Sequence, residues 1–267
     1  MPARRGAARI RTWLELPGTA GLALDDPGAT LARRDVLRKK PFLQKVYRDW
    51  YARIVEALPP LSGKALELGS GAAFLSDLVP DLVTSEIVAW EGVCLVTDAR
   101  ALPFRPASLR AVLMTNVFHH LSDVRAFFRE AGRALRPGGV ITMVEPWVTT
   151  WSRFVYGRLH QEPFEPAAAS WEFPTTGPLS GANGALPWIV FERDRRLFER
   201  EFPEWAIERV DPFMPFRYLL SGGLSLRSFM PGFTHGFWKA AEALLAPLRR
   251  HTAMFAVVVL RRRETGS

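Results

Sequence analysis

The segment LELGSGAAFL, residues 66–75, constrains the fold more than any other part of this 267-residue chain. The run KALEL predicts a short buried strand that leads directly into Gly69 and Gly71, and AAFLSDLV predicts a helix after them. A strand, glycine turn and helix let a ligand approach the main chain, and a helix start offers free N–H groups. Glu67, just ahead of the glycines, indicates a ligand with a cationic group. The alternative is a turn that needs positive φ and binds nothing.

Strands and helices alternate through the first half of the chain. Strand-like runs occur at LVTSEIV, CLVTDA, RAVLMTNV and GVITMVEP, and residues 122–135 predict a helix with Ser122 as its N-cap. This order predicts an α/β fold with a mostly parallel sheet, helices on both faces, and a ligand at the carboxyl ends of the strands. Later, WAIERV and MFAVVVLRRR predict two further strands, the second of which closes the sheet.

The chain divides by composition. Hydrophobic residues make up 48% of it and charged residues 23%, which is typical of a folded globular protein. Residues 147–240 are rich in tryptophan and phenylalanine, interleaved with proline and glycine. We predict a basic N-terminal lead-in at 1–40, a ligand-binding core at 41–146, an aromatic-rich insertion or lid that covers the substrate at 147–240, and a closing part of the core at 241–267. The aromatic residues could equally roof the hydrophobic core.

The net charge of +8 is spread in short clusters, without an RNA-binding or helix-turn-helix signature. We therefore expect no specific nucleic-acid partner. The longest apolar run, near residues 253–260, is far shorter than the roughly 20 residues that span a bilayer. The sequence thus predicts a cytoplasmic protein without a transmembrane segment, leaves peripheral membrane contact open, and does not predict the oligomeric state.

Two common readings of a glycine turn fit poorly. A dinucleotide-binding turn has a third glycine where this chain has Phe74, which weakens a nicotinamide or flavin oxidoreductase. A P-loop would need Gly-Lys followed by Ser or Thr, and none follows here. S-adenosylmethionine is a ligand whose cationic amino-acid end would explain a carboxylate beside the glycines.

Four blocks in this order, LELGSGAAFL, VTDARALPF, NVFHHL and LRPGGVITMVEP, resemble the class I S-adenosylmethionine-dependent methyltransferases. They are most similar to the subgroup that includes quinone-biosynthesis methyltransferases, and the resemblance covers about residues 40–147. It implies a Rossmann-like sheet of seven strands whose last strand, at 254–262, is antiparallel to the rest. It also implies S-adenosylmethionine as the cofactor and no metal.

The resemblance also implies roles for individual residues. The glycines match the turn against the methionine part of the cofactor, the motif acid precedes them, and further acids match the partners of the ribose hydroxyls and of the adenine amine. Gly69 and Gly71 match that turn, Glu67 matches the motif acid, Glu86 matches the partner of the ribose hydroxyls and Asp98 that of the adenine amine. Ala99 and Leu102 would lie near the adenine ring, and Asn116 at the edge of the methyl-donor pocket. Only eleven residues separate Glu86 from Asp98, so the crossover between the second and third strands must be abbreviated.

Histidine could remove a proton from the acceptor near neutral pH. His120, beside His119 after the fourth strand, and His160 are the candidates, although each could be an ordinary loop histidine. Polar side chains among the aromatic residues are candidates for contacts with a small hydrophobic acceptor: Asn183, Arg217 and Tyr218. Methyl transfer to oxygen, nitrogen or carbon is the predicted reaction, and a non-catalytic methyltransferase-like partner in an enzyme assembly is the alternative.

Overall fold

The computed structural model describes residues 27–71, 74–90, 92–159, 162–175, 177, 181–228 and 230–264. Its helices are α1 Pro27–Lys39, α2 Pro41–Glu56, α3 Val124–Ala134, α4 Thr150–Leu159, α5 Leu186–Trp188, α6 Arg195–Glu201, α7 Arg217–Ser221, α8 His235–Leu244 and α9 Arg249–Thr252. Its strands are β1 Lys64–Leu68, β2 Leu82–Glu86, β3 Leu95–Val96, β4 Leu109–Thr115, β5 Leu135–Pro146, β6 Trp205–Phe213 and β7 Phe255–Arg262. A π-helical turn, Ile189–Arg193, joins α5 to α6.

The seven strands form one sheet in the order β3-β2-β1-β4-β5-β7-β6. The pairs from β3 across to β5 are parallel, and β7 runs antiparallel to both of its neighbours, β5 and β6. The predicted Rossmann-like sheet, with its antiparallel last strand, is therefore confirmed. Because β1 lies between β2 and β4, its glycine turn opens at the carboxyl edge of the sheet between these two strands.

Helices cover both faces of the sheet, as the alternating pattern predicted. On one face, α2 buries Val46, Trp50 and Ile54, which recur every four residues and so form one apolar stripe. On the other face, α3 buries Phe127 and Phe128 against the segment from α5 to β6. Successive residues of β7 alternate between these two cores.

One aromatic cluster forms the densest part of the second core. The ring of Phe128 lies between 4.9 and 6.2 Å, centroid to centroid, from six aromatic neighbours. These neighbours are Phe118, Phe127, Phe191, Phe198, Phe202 and Trp205. Much of the aromatic content after residue 147 therefore serves the core of the domain.

Three local predictions are corrected. The helix expected from AAFLSDLV is one 3-10 turn, Leu75–Asp77, among the described residues that follow the glycine turn. The N-cap of α3 is Asp123 and not Ser122, because the Asp123 carboxylate accepts a 2.8 Å hydrogen bond from the Ala126 N–H. The lead-in at 1–40 contains helix α1, and Lys40 after it is buried.

The abbreviated crossover between β2 and β3 is present as predicted. In the described residues between Glu86 and Leu95, no helix forms, and β3 is two residues long. Within the part of the chain that the structure describes, no helix combines the length and the apolar character needed to cross a bilayer.

Phe128→Ala should lower the free energy of unfolding by about 3–5 kcal/mol, because it opens a cavity amid rings that cannot collapse into the space. Phe154→Ala is the matched control, since the Phe154 side chain is exposed and its loss should cost well under about 1 kcal/mol. Denaturant unfolding followed by circular dichroism measures both. Equal effects would contradict a core role for the cluster.

Candidate functional site

A cavity of about 620 Å³ lies at the carboxyl edge of the parallel strands, where the fold class predicts a ligand. The residues that line it come from distant parts of the chain, from Thr30 on α1 to Phe255 on β7. Glycine and acidic residues surround one part of the cavity, whereas tyrosine and aliphatic side chains contribute to the rest. The volume lies within the usual range for small-molecule sites.

The glycine turn at the end of β1 is built so that only glycine fits. Gly69 and Gly71 have φ of 61° and 52°, in the left-handed region. A Cβ on Gly69 would lie 2.5 Å from a methyl group of Val117 on the turn after β4, which is closer than real Cβ atoms come. A Cβ on Gly71 would meet only ordinary contacts, with the Glu86 carboxylate at 3.8 Å and the Gly69 carbonyl oxygen at 3.9 Å. The main chain at Gly71 is therefore open toward the cavity.

Two serines fix the turn to β2. The Ser85 N–H donates to Ser70 Oγ at 2.9 Å, and the Ser70 N–H donates to the Ser85 carbonyl at 3.0 Å. Ser85 Oγ in turn donates to the main-chain carbonyl of Glu67 at 2.8 Å. Both serines are buried, so these bonds satisfy polar groups that water does not reach. The sequence analysis missed both residues.

Glu67 and Glu86 bring two carboxylates to the glycine turn. Glu67 is buried, and Glu86 accepts a hydrogen bond from the Gly71 N–H. Burial and the nearby charge of Glu86 raise the pKa of Glu67 to about 8. Burial likewise raises the pKa of Glu86. Two desolvated acids with raised pKa form a site that is stabilised by a cation or by hydroxyl donors.

Asp98 lies after β3 and lines the cavity together with Ala99. The side chain of Arg100 donates to both carboxylate oxygens of Asp98, at 2.7 to 3.1 Å, and this lowers the pKa of Asp98. The Arg100 main-chain N–H also donates to Asp98 at 2.8 Å, so Asp98 is an anion that Arg100 holds in place. Leu102 is not among the described residues that line the cavity; it is buried in the core, where its N–H donates to Glu130.

Asn116 and the turn that follows it shape the opposite wall. Asn116 lines the cavity with φ of 57°, a conformation that asparagine tolerates better than most residues. The turn is held by Glu145, at the end of β5, whose fully buried carboxylate accepts bonds from the N–H groups of Val117 and Phe118 at 2.7 and 2.8 Å. Glu145 was not predicted, although an acid at the carboxyl end of a buried strand was a visible signal.

The two adjacent histidines differ in their charge at neutral pH. Burial disfavours the charged form of His119, but the Glu145 carboxylate, 2.6 Å from Nδ1, outweighs burial and raises the pKa of His119 to about 9. Burial and the charge of His119 lower the pKa of His120 to about 4. At neutral pH, His119 is therefore an imidazolium and His120 is neutral.

The tautomer of His120 follows from its partner. Its Nδ1 lies 3.1 Å from the Gly181 carbonyl, which can only accept, so Nδ1 carries the hydrogen. Nε2 therefore holds a lone pair, and the side chain lines the cavity. His120 can thus accept a hydrogen bond or a proton from a bound molecule.

Glu162 completes a polar cluster in the cavity. Its carboxylate lies 3.4 Å from His119 Nε2, so His119 stands between two acids. One potential ligand atom from each of His119, His120 and Glu162 lies within 4.8 Å of the others, the kind of spacing found around metal ions. Both ring nitrogens of His119 have a carboxylate neighbour, which favours a proton on each, and the absence of a metal stays a prediction.

The remaining predicted residues have mixed positions. His160 lies outside the described residues, and Tyr218 lines the cavity with its ring stacked on Trp50. Neither Asn183 nor Arg217 is among the described residues that line the cavity. Their substrate contacts stay predictions, and both side chains already have structural partners.

The structural roles explain why both residues are buried. The Asn183 side chain accepts from the Glu165 N–H at 2.9 Å and from the Ala185 N–H at 3.0 Å, which fixes the turn before α5. The Arg217 guanidinium forms ion pairs with Glu242 of α8 and Asp49 of α2. Sequence spacing gives no hint of these partners, because they lie 25 and 168 positions away.

Comparison with known proteins agrees with the motifs. Residues 66–143 match the family described as a methyltransferase domain. The chain is 31% identical over 117 residues to a demethylmenaquinone methyltransferase of Roseiflexus castenholzii, a match covering 37% of this chain and 49% of that protein. A Roseiflexus sp. relative of the same name is 30% identical over 117 residues, with the same coverage. The chain thus spans about half the length of the curated relatives it matches.

Among solved structures, a geranyl diphosphate C-methyltransferase from Streptomyces coelicolor is similar, with 12% identity and a TM-score of 0.49. That match covers 98% of this chain and 99% of the other. The family match over residues 66–143 agrees with the methyltransferase resemblance of the four sequence blocks.

The raised pKa of His119 predicts how stability depends on pH. A group whose pKa is higher in the folded state stabilises the fold fully below its unfolded pKa, and this contribution is lost as pH rises toward the folded value. For His119 the window runs from about 6.5 to about 9. Between these pH limits the free energy of unfolding of the wild type should fall by on the order of 3 kcal/mol more than that of His119→Asn. The asparagine keeps a hydrogen-bond donor for Glu145 but cannot take up a proton.

Denaturant unfolding at a series of pH values between 6 and 10 measures this difference. His251→Asn is the control, because His251 is exposed, and its pH profile should follow the wild type. The same slope in His119→Asn and the wild type would contradict the protonated state of His119.

Proposed function

We propose that this chain, whose residues 66–143 match the methyltransferase-domain family, binds S-adenosylmethionine at the glycine turn and transfers its methyl group to a small, fairly hydrophobic acceptor. The observation that carries the proposal is a single cavity that joins two groups of residues. One is the set of carboxylates beside Gly69 and Gly71, and the other is the cluster of His119, His120 and Glu162.

The donor set fits the cofactor. The desolvated carboxyl group of Glu67, next to an open main chain at Gly71, suits an ammonium group. Glu86 has carboxylate lone pairs besides the one that accepts from Gly71, and these suit the two hydroxyls of a ribose. Asp98 would accept from the amine of adenine. When bound, S-adenosylmethionine supplies a methyl group made electrophilic by a positively charged sulfur.

The rest of the cavity supports an apolar acceptor. Side chains from five elements contribute a largely hydrophobic lining, and the ring of Tyr218 packs on Trp50 and Phe255, which holds it in place. The hydrophobic lining residues are Leu37, Tyr47, Tyr156, Tyr218, Leu224 and Phe255. The curated relatives are named for demethylmenaquinone, and a flat apolar ring system of that kind is consistent with such walls.

His120 has the properties of a proton acceptor for a hydroxyl on the acceptor. It is neutral at physiological pH, and its Nε2 lone pair is available while Nδ1–H donates to Gly181. As His120 took up a proton, the nearby Glu162 carboxylate would stabilise the new positive charge. Because the pKa of His120 is low, it would take the hydroxyl proton only as the methyl group moves from the cofactor sulfur to the acceptor oxygen.

Asp98→Ala should weaken binding of S-adenosylhomocysteine by about 1.5–3 kcal/mol, on the order of ten- to a hundredfold, because one charged hydrogen bond is lost. Asp81→Ala is a matched control: Asp81 also accepts two bonds from an arginine, Arg110, but does not line the cavity. Calorimetric titration with S-adenosylhomocysteine and with NAD measures both variants.

Unchanged affinity in folded Asp98→Ala would remove the adenine assignment, and binding of NAD in preference to S-adenosylhomocysteine would remove the cofactor assignment. Cofactor binding without turnover on a panel of quinols, phenols and polyketide-like acceptors would favour the alternative, a non-catalytic partner in an enzyme assembly.

His120→Asn should lower kcat by on the order of a hundredfold or more while leaving cofactor affinity unchanged. The asparagine amide can still donate to the Gly181 carbonyl, so the substitution isolates the loss of the Nε2 lone pair. Single-turnover methyl transfer to a hydroxylated acceptor is the measurement. A kcat within threefold of the wild type would show that a proton acceptor at residue 120 is unnecessary.

A further inference from the structure

A stripe of apolar side chains is exposed along α8 and the short turns on either side of it. Phe233 and Leu244 are each 83% exposed, Phe237 is 70% exposed and Leu248 is 51% exposed. Together with exposed Ala240, they recur at steps of three and four residues, so they share one side of the helical segment. The stripe extends roughly 20 Å, given the rise of about 1.5 Å per helical residue.

The opposite side of α8 already has its partners. His235 and Glu242 are buried, and Trp238 packs against the core that contains α2. Exposure of the stripe is therefore not needed for α8 to dock onto the domain. Large exposed apolar patches on a folded protein mark surfaces that bind something.

The surroundings of the stripe are basic. Residues 231–251 contain Lys239, Arg249 and Arg250 and a single acid, Glu242, which is buried against Arg217. Lys239 and Arg249 contact Asp49 and Asp211, yet their side chains remain 60% and 56% exposed. The exposed face of residues 231–251 is thus apolar and cationic, without an exposed carboxylate of its own.

We propose that this surface, formed by Phe233, Phe237, Ala240, Leu244 and Leu248 and here called the docking stripe, binds the surface of an anionic lipid bilayer. Exposed aromatic and aliphatic side chains on one side of a helix, flanked by lysine and arginine, enter the interface between headgroups and acyl chains. Basic residues beside them gain from the negative potential of anionic lipids.

A second copy of the chain is a poorer occupant. A symmetric contact through the docking stripe would bring Lys239, Arg249 and Arg250 of both copies to the same interface, where like charges repel. A bilayer with anionic headgroups satisfies the apolar and the basic parts of the surface together.

The docking stripe is rigidly connected to the wall of the cavity. Glu242, on the buried side of α8, accepts bonds from the Arg217 main chain and side chain at the start of α7. The next residue, Tyr218, lines the cavity. If the proposed function holds, the docking stripe holds the apolar half of the cavity close to the membrane in which a hydrophobic acceptor dissolves.

Co-sedimentation of the full chain with vesicles tests this surface without cofactor or acceptor, so its outcome is separate from that of the methyl-transfer tests. Vesicles of phosphatidylcholine with 30% phosphatidylglycerol should bind the wild type, and pure phosphatidylcholine vesicles should bind it at least about tenfold more weakly. Leu244→Gln and the double variant Phe233→Gln, Phe237→Gln should each lose at least about tenfold in partitioning.

Leu78→Gln is the matched control, because Leu78 is 45% exposed on another part of the molecule and undergoes the same change as Leu244. It should bind vesicles as the wild type does. Thermal unfolding should show that all variants fold.

Three results would overturn the proposal. One is the absence of wild-type binding to the anionic vesicles, and another is equal binding by the stripe variants and the wild type. The third is a wild-type dimer in sedimentation velocity that becomes monomeric in Leu244→Gln, which would assign the docking stripe to a second copy of the chain.

Discussion

The buried carboxylate of Glu145 is the constraint on which the candidate site depends. It ends β5 inside the protein, where an unpaired charge would be very costly, and its hydrogen-bond partners among the described residues lie in the turn after β4. Satisfying this one group fixes the main chain at Val117, orients His119 and sets the charge states of both histidines. Val117 in turn excludes any side chain at Gly69, so both walls of the cavity follow from the same anchor.

The sequence predicted what depends on local pattern. The alternation of strands and helices along the chain and the glycine turn follow from periodicity and spacing. The resemblance supplied the Rossmann-like sheet, the short crossover before Asp98 and the antiparallel β7. The sequence could not predict which buried polar groups pair, because those choices are made by elements that meet only in the folded chain. Arg217 therefore looked like a substrate contact and is an ion-pair partner of Glu242, whereas Glu145 drew no attention. Helix α1 was missed because, among its described side chains, Leu37 alone is fully buried, so the sequence shows no apolar stripe there.

Buried charges also hold together the part of the structure that encloses the acceptor side of the cavity. Lys40 donates to the main-chain carbonyls of Ser221, Gly223 and Leu226, so the loop after α7 is tied to the start of α2. Burial lowers the pKa of Lys40 to about 8, because the buried site disfavours the charged form of the amine that makes these bonds. Arg217 makes a second tie between α2, α7 and α8. Hydrophobic contacts alone would not fix the relative positions of these short elements. The directional hydrogen bonds and ion pairs hold Tyr218 and Leu224 at the wall of the cavity.

Strand β7 lies between β5 and β6, although it follows both in the chain. During synthesis, β6 has no strand to pair with until β7 is made, and both edges that β7 will fill stay open in the meantime. The cavity has the same dependence, since Phe255 of β7 forms part of its lining. Contacts this distant in sequence slow folding and expose unpaired strand edges to aggregation. The cavity is therefore complete only once β7 has paired, so ligand binding would report that the sheet is fully formed.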